Sequence, residues 1–244
     1  MVSKNQIKLI TSLRLKKYRE KHKLFLAEGT KVIDELYHAG IKFYEIFSTE
    51  KLPNIPEHLI TRVTGTELQK ISNLKTPNTV VAILHIPEEK RLVISGWTLM
   101  LDDVRDPGNL GTIIRLCDWF GIENLVCSLT TVDGYNSKVV QATMGSLARV
   151  NLYYRDLEEF LKENKSIKVY GAFMDGNNVY KTTFPDKGIL IMGNEANGIS
   201  PAIDKWISNR VSIPQFGTHQ ETESLNVATA TAILLSELHR AIEK

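Results

Sequence analysis

At 244 residues, with 43% hydrophobic and 24% charged residues, the chain has the make-up of an ordinary folded protein and the length to bury one or two cores. It has no run of about eighteen apolar residues, and its basic start is not followed by a secretory apolar stretch, so neither a membrane-spanning helix nor a secretory leader is expected. The two cysteines, Cys117 and Cys127, lie among apolar neighbours, which points to reduced, buried thiols in a cytoplasmic protein rather than to a disulfide or a metal site.

The net charge of +2 is unevenly placed. Residues 1–25 carry eight Lys and Arg, among them Lys4, Lys8, Arg14, Lys16 and Lys17, against the single acid Glu20, a surplus of seven that leaves five negative charges for the rest. Such asymmetry suits an anionic partner at the N-terminal end. The same stretch, with Ile7, Ile10, Leu13 and Tyr18, predicts a basic helix over 3–20. A strand at 24–27 follows, then a turn at Glu28-Gly29-Thr30 into a helix over 31–39, and strands at 44–48 and 59–63. Thr66 is the expected cap of the next helix, and 80–86 is another strand. This alternation predicts a small α/β domain. The expected boundaries are 1–88 for that domain, 89–95 for a polar linker and 96–244 for a second domain.

In the second stretch, strands are expected at 97–101, 124–127, 150–153, 167–173, 188–192 and 210–213. Helices are expected at 110–120, 137–144 and 157–163, with a terminal helix after Ser224. The apolar runs Thr98-Leu99-Met100-Leu101 and Ile189-Leu190-Ile191-Met192 suit a parallel sheet covered on both faces. Leu225, Ala228, Ala232, Leu235 and Leu238 lie on one stripe of the terminal helix, with Thr222 or Ser224 as its cap. That arrangement does not account for Asn226, a poor helix former in the first turn.

Three loops leave the C-terminal ends of predicted strands, where open α/β sheets bind ligands. The first, from Asp102 to Gly111, holds Asn109 as a candidate cap and leads into a helix whose Arg115 sits among apolar residues and calls for an anionic partner. The second, Gly193-Asn194-Glu195-Ala196-Asn197-Gly198, has two glycines that allow close backbone approach, and a Glu195 that could pair with Arg115 or touch a substrate. The third runs from Ile213-Pro214 to Ser224-Leu225-Asn226. Neither a G-x-G-x-x-G fingerprint nor a Walker A loop is present, which argues against a dinucleotide-binding enzyme.

The segments DPGNLGTIIRLCDWFG, LIMGNEANGIS and IPQ…ESLNVATATAI, in this order and spacing, resemble the three motifs of the SpoU (TrmH-like) RNA 2′-O-methyltransferases. The first ninety or so residues, best at LFLAEGTKVIDEL, are similar to the L30e-like substrate-binding domain that many of those proteins carry. The resemblance implies a trefoil-knotted parallel-sheet domain and S-adenosylmethionine held mainly by backbone groups at Gly193, Ile213 and Leu225. It also implies a homodimer with the active site near the interface. Asn109, Arg115, Glu195, Ser224 and Asn226 fall on its catalytic and substrate-binding positions, with Arg115 acting either as a base or as a phosphate clamp beside the ribose. RNA would be met by the N-terminal domain and the basic stretch, and ribosomal RNA is favoured over transfer RNA. One departure stands out: Gln215 replaces the usual Met and the loop up to Ser224 is longer, which leaves the roles of His219 and Glu221 open. A non-catalytic RNA-binding or assembly factor is the alternative from another class, and the full set of motif residues argues against it.

Overall fold

Residues 3–20 form two helices rather than one, α1 (Lys4–Ser12) and α2 (Lys16–His22), in a computed structural model that describes residues 2–217 and 224–242. The break is made by polar groups. The Ser12 hydroxyl donates to the Leu9 carbonyl at 2.7 Å, and the Arg19 guanidinium takes the carbonyls of Leu13 and Arg14 at 2.8 and 2.9 Å, which a continued helix would have bonded internally. Arg19 is only 4% exposed and also donates to the Asp133 carboxylate. It therefore does not belong to the solvated basic face, unlike Lys4, Lys8, Lys16 and Lys17, which are exposed. Arg14 is exposed as well and donates to the Ser72 carbonyl at 3.0 Å. An Arg19→Ala chain is expected to lose about 3 kcal/mol of stability, because Asp133 and two carbonyls lose their donor in a buried place; denaturant unfolding monitored by circular dichroism measures it.

The first unit comprises Met1–Glu88 and Asp133–Arg149. Its sheet has the order β1-β4-β2-β3, with β1 (Leu24–Glu28), β2 (Phe43–Ser48), β3 (Ile60–Arg62) and β4 (Val80–His85); only β2 and β3 run parallel. Every residue of β1 is buried. Alternation explains how: Leu24 and Leu26 join Ile10, Leu13, Leu68, Ile71, Val81 and Ile83 in one cluster, while Phe25, on the other face, meets the ring of Tyr135 at 5.1 Å. That second face is shared by α3 (Thr30–His38) and by α6 (Ser137–Thr143), both packed on β1. Residues 133–149, which lie within the expected second domain 96–244, group by their contacts with the first unit, and their Val139 and Val140 are buried. The helix α4 (Gly65–Ile71) is capped by Thr64 rather than by the expected Thr66, because Thr64 and Glu67 have the spacing that lets each side chain take the other's backbone N–H.

The second unit comprises Glu89–Val132 and Val150–Lys244. Six parallel strands in the order β10-β8-β9-β5-β6-β7 form its sheet: β5 (Trp97–Leu101), β6 (Asn124–Ser128), β7 (Asn151–Arg155), β8 (Val169–Asn178), β9 (Gly188–Met192) and β10 (Asn209–Ser212). Met100, Val126, Ile189 and Ile191 form one face, under α7 (Leu157–Glu163) and α8 (Pro201–Asp204), and Leu92 and Ile94 of the expected linker pack there too. Leu99, Leu101, Leu125 and Cys127 alternate to the other face and are equally buried. There α5 (Pro107–Trp119) packs against the terminal helix α9 (Val227–Ile242). Both cysteines are free and buried, and burial pushes both thiols far up from their ordinary pKa.

β8 is longer than the expected 167–173. Between two stretches that pair with β10, residues 172–176 bulge out of register, since Arg210 faces Gly171 while Val211 faces Asn177. Gly176 permits this, because a Cβ there would lie 2.6 Å from the Val211 backbone.

Candidate active site

The start of α5 sets the position of Asn109. Pro107 stands in its first turn and the Asp106 side chain accepts the Asn109 N–H at 2.8 Å, so Asp106 and not Asn109 is the cap. Asn109 is then inside the first turn with its amide free to bond elsewhere. Its Nδ2 donates to Glu195 Oε1 at 2.8 Å, and its Oδ1 accepts from Asn226 Nδ2 at 2.9 Å. Asn226 in turn caps α9, its Oδ1 accepting the N–H groups of Ala228 and Thr229 at 3.0 and 3.2 Å. The cap role expected of Thr222 or Ser224 therefore falls to Asn226 among the described residues, and Thr222, His219 and Glu221 lie outside them.

These bonds have a fixed sense. The oxygen of Asn226 is committed to two helix N–H groups, so its NH2 faces Asn109. Asn109 must answer with its oxygen and present its own NH2 to the Glu195 carboxylate. One directed relay thus joins the loop after β5, the loop after β9 and the start of α9. Glu195 thus meets Asn109, and among the described residues it makes no ion pair with Arg115, the side chain expected for it from the sequence.

The loop after β9 is held by its own backbone. Asn194 and Gly198 exchange two backbone bonds of 2.9 Å, and Gly198 turns with φ of 66°. Asn194 Oδ1 takes the N–H groups of Ala196 and Asn197, while its Nδ2 donates to the Asp103 carbonyl at 2.7 Å. A Cβ on Gly193 would sit 2.2 Å from the Gly198 backbone, so no side chain fits. Asp102, buried at the end of β5, accepts the Ser200 N–H at 2.7 Å. Asn194 and Asp102 do structural work the sequence reading missed; the short polar side chain in a Gly-bounded turn was the available signal for Asn194.

Against these loops lies a cleft of about 970 Å³ whose lining includes Met192, Gly193, Glu195, Ile213, Ser224 and Leu225. All three expected cofactor positions and two of the five expected catalytic ones are therefore on its wall. Its far side is the bulge of β8, fixed by Arg210, another residue missed from sequence. The Arg210 guanidinium lies 3.6 Å from the centre of the Phe173 ring and donates to Asp175 at 3.1 Å and to Asp204 at 3.0 Å. Ser224 makes no hydrogen bond among the described residues.

Arg115 stands apart. It is exposed and has no ion pair or hydrogen bond among the described residues. Six residues along a helix carry it about 120° round from Asn109 and about 9 Å further along the axis. It shares its face with Trp119, one turn on and 84% exposed.

Comparison with known proteins bears on this arrangement directly. Residues 96–236 match the model of the SpoU rRNA Methylase family, and residues 4–82 match the MRM3-like substrate binding domain. The chain belongs to the SpoU rRNA Methylase family. The 23S rRNA (guanosine(2553)-2′-O)-methyltransferase RlmP of Bacillus subtilis is 33% identical over 245 residues, covering 97% of each chain. A solved TrmH-family protein from Porphyromonas gingivalis is 38% identical, with a TM-score of 0.89 over 98% of this chain and 99% of that one. An S-adenosylmethionine-bound rRNA methyltransferase from Sinorhizobium meliloti is 27% identical, with a TM-score of 0.84 over 98% and 97%. The expected α/β methyltransferase fold with its N-terminal substrate-binding domain is met. So is the expected enzyme class, an RNA 2′-O-methyltransferase using S-adenosylmethionine. Among the described residues no helix is long and apolar enough to cross a membrane.

Proposed function

We propose that this chain methylates the ribose 2′-oxygen of a guanosine in 23S ribosomal RNA, with S-adenosylmethionine as donor. The observation that carries this reading is the Glu195–Asn109–Asn226 relay beside a cleft large enough for a small-molecule cofactor. The choice of RNA and base rests on the likeness to the Bacillus subtilis guanosine enzyme along the whole chain.

The cleft suits the donor on its own geometry. Gly193 has no room for a side chain, which leaves its backbone groups open to a ligand, and Ile213 and Leu225 supply apolar wall. Bound there, S-adenosylmethionine supplies an electrophilic methyl group. The protein's task is to bring a ribose hydroxyl in line with it and to favour loss of the hydroxyl proton. In this reading Asn109 and Asn226, with their free amide N–H groups, and Ser224 position the ribose, while Glu195 fixes the Asn109 amide. Arg115 remains charged, as guanidinium does near neutral pH, and holds the phosphate beside the target ribose, stabilising the negative charge that grows on the 2′-oxygen. Alignment of the two reactants supplies a further part of the acceleration.

Because Arg115 points away from Asn109 of its own chain, the site is completed in a homodimer, the exposed Arg115 and Trp119 face of α5 being the contact. An exposed tryptophan next to an unpaired arginine on one helix face is the physical support for that contact. The trefoil knot that the family resemblance implies belongs to the second unit, and the protein works in the cytoplasm, consistent with its free, buried thiols. Lys4, Lys8, Arg14, Lys16 and Lys17 contact RNA phosphate, which makes RNA affinity fall with salt.

The test is transfer of labelled methyl groups to total bacterial RNA, followed by nuclease digestion and nucleoside analysis. Label in 2′-O-methylguanosine from the 23S fraction is the expected outcome; label confined to transfer RNA, or to a base, would overturn the substrate assignment. Asn226→Asp probes the relay separately. Aspartate caps a helix as well as asparagine does, so stability should hold, whereas loss of the NH2 sets two oxygens against each other at Asn109. Activity is expected to fall by about a hundredfold in kcat with an unchanged melting temperature.

A further inference from the structure

The mouth of the cleft carries apolar surface that the reaction as described leaves unused. Phe216 lines the cleft and is 82% exposed, and Met174 and Leu225 line it too and are also exposed. The ring of Tyr180 lies 6.2 Å from that of Phe216 at an interplanar angle of 34°, so the two make a short aromatic shelf. Tyr180 stands in a one-turn helix, Val179–Lys181, whose Val179 is buried and whose start is held by the Asn178 side chain, so the shelf has a fixed base. Pro214, two residues before Phe216, limits the backbone leading into it.

We propose that Phe216, backed by Tyr180, is the stacking surface for the base of the methylated nucleotide. This rests on the RNA-methyltransferase reading given above. The occupant is argued from the lining of one cleft. Phe216 shares that wall with Ser224, and a ribose positioned by Ser224 beside the Asn109–Asn226 pair carries a base that needs a planar apolar surface once unstacked from its neighbours. Aromatic side chains serve single-stranded bases in this way, tolerating any base because each presents a π-face. The shelf thus supplies affinity for an extruded base without choosing its identity.

Phe216→Ala is expected to raise KM for 23S rRNA by about tenfold to a hundredfold, with S-adenosylmethionine affinity unchanged by calorimetry. Phe216→Tyr and Phe216→Trp should restore KM and Phe216→Leu should not, since stacking needs a ring and not merely apolar area. A weakened S-adenosylmethionine affinity in Phe216→Ala would assign the ring to the cofactor, and a change in sedimentation would assign it to a subunit contact; either result overturns the proposal. Full rescue by leucine would also overturn it. If the wild type methylates RNA and Phe216→Ala does so with equal KM, the shelf alone fails. If the wild type neither methylates nor binds RNA in a filter assay, the enzyme reading fails with it.

Discussion

Arg115→Ala is expected to lower kcat by about a hundredfold to a thousandfold while leaving S-adenosylmethionine affinity and folding untouched. The helix around it loses nothing, since the side chain is exposed and has no partner among the described residues. Steady-state methyl transfer with binding calorimetry separates the two effects. The same variant tests the subunit arrangement. Arg115→Ala and Gly193→Ala chains, each impaired alone at limiting S-adenosylmethionine, are mixed and allowed to exchange subunits. If Arg115 serves the neighbouring chain's cleft, mixed dimers hold one intact site and activity returns. If it serves its own cleft, a mixed dimer has no intact site, and no recovery refutes action across the interface.

Gly193→Ala is the second large effect. The added methyl would stand 2.2 Å from the Gly198 carbon and 2.4 Å from the Ile199 nitrogen, both backbone atoms that no rotamer change can move aside. The loop must open, at a strain of about 1–3 kcal/mol, and with it goes the bond from Asn194 to the Asp103 carbonyl that ties the two loops together. S-adenosylmethionine affinity is expected to fall by at least tenfold, while the core of the sheet, which this loop does not enter, keeps its circular dichroism spectrum. Unaltered affinity by calorimetry would refute the placement of the cofactor against Gly193.

Much of this site was legible in the chain because its parts are local. Asn109, Glu195 and Asn226 all fall in segments that follow strands marked by apolar runs, and Asn226 was a polar residue that its own helix failed to explain. What joins them was not legible. The direction of the relay depends on Asn226 being a cap and Asn109 not being one, a choice decided by the Asp106 side chain reaching the Asn109 N–H. The bulge of β8 was missed because no periodicity announces it: Gly176 matters only through the Val211 backbone, thirty-odd residues away along the chain. Arg19 looked like one more solvated charge in a basic stretch, and its burial depends on Asp133, which local pattern could not bring to it. The strand order likewise follows from pairings between segments far apart in sequence.

The excursion of residues 133–149 bears on how this enzyme can be dissected. The polypeptide crosses between its two units at 88/89, 132/133 and 149/150, so no single proteolytic nick releases either as a continuous fragment. A gene lacking its first eighty-eight codons would still encode α6, stripped of the β1 strand on which it packs. A catalytic core made for comparison therefore has either to keep α6 without β1 or to splice 132 to 150 with a short connector.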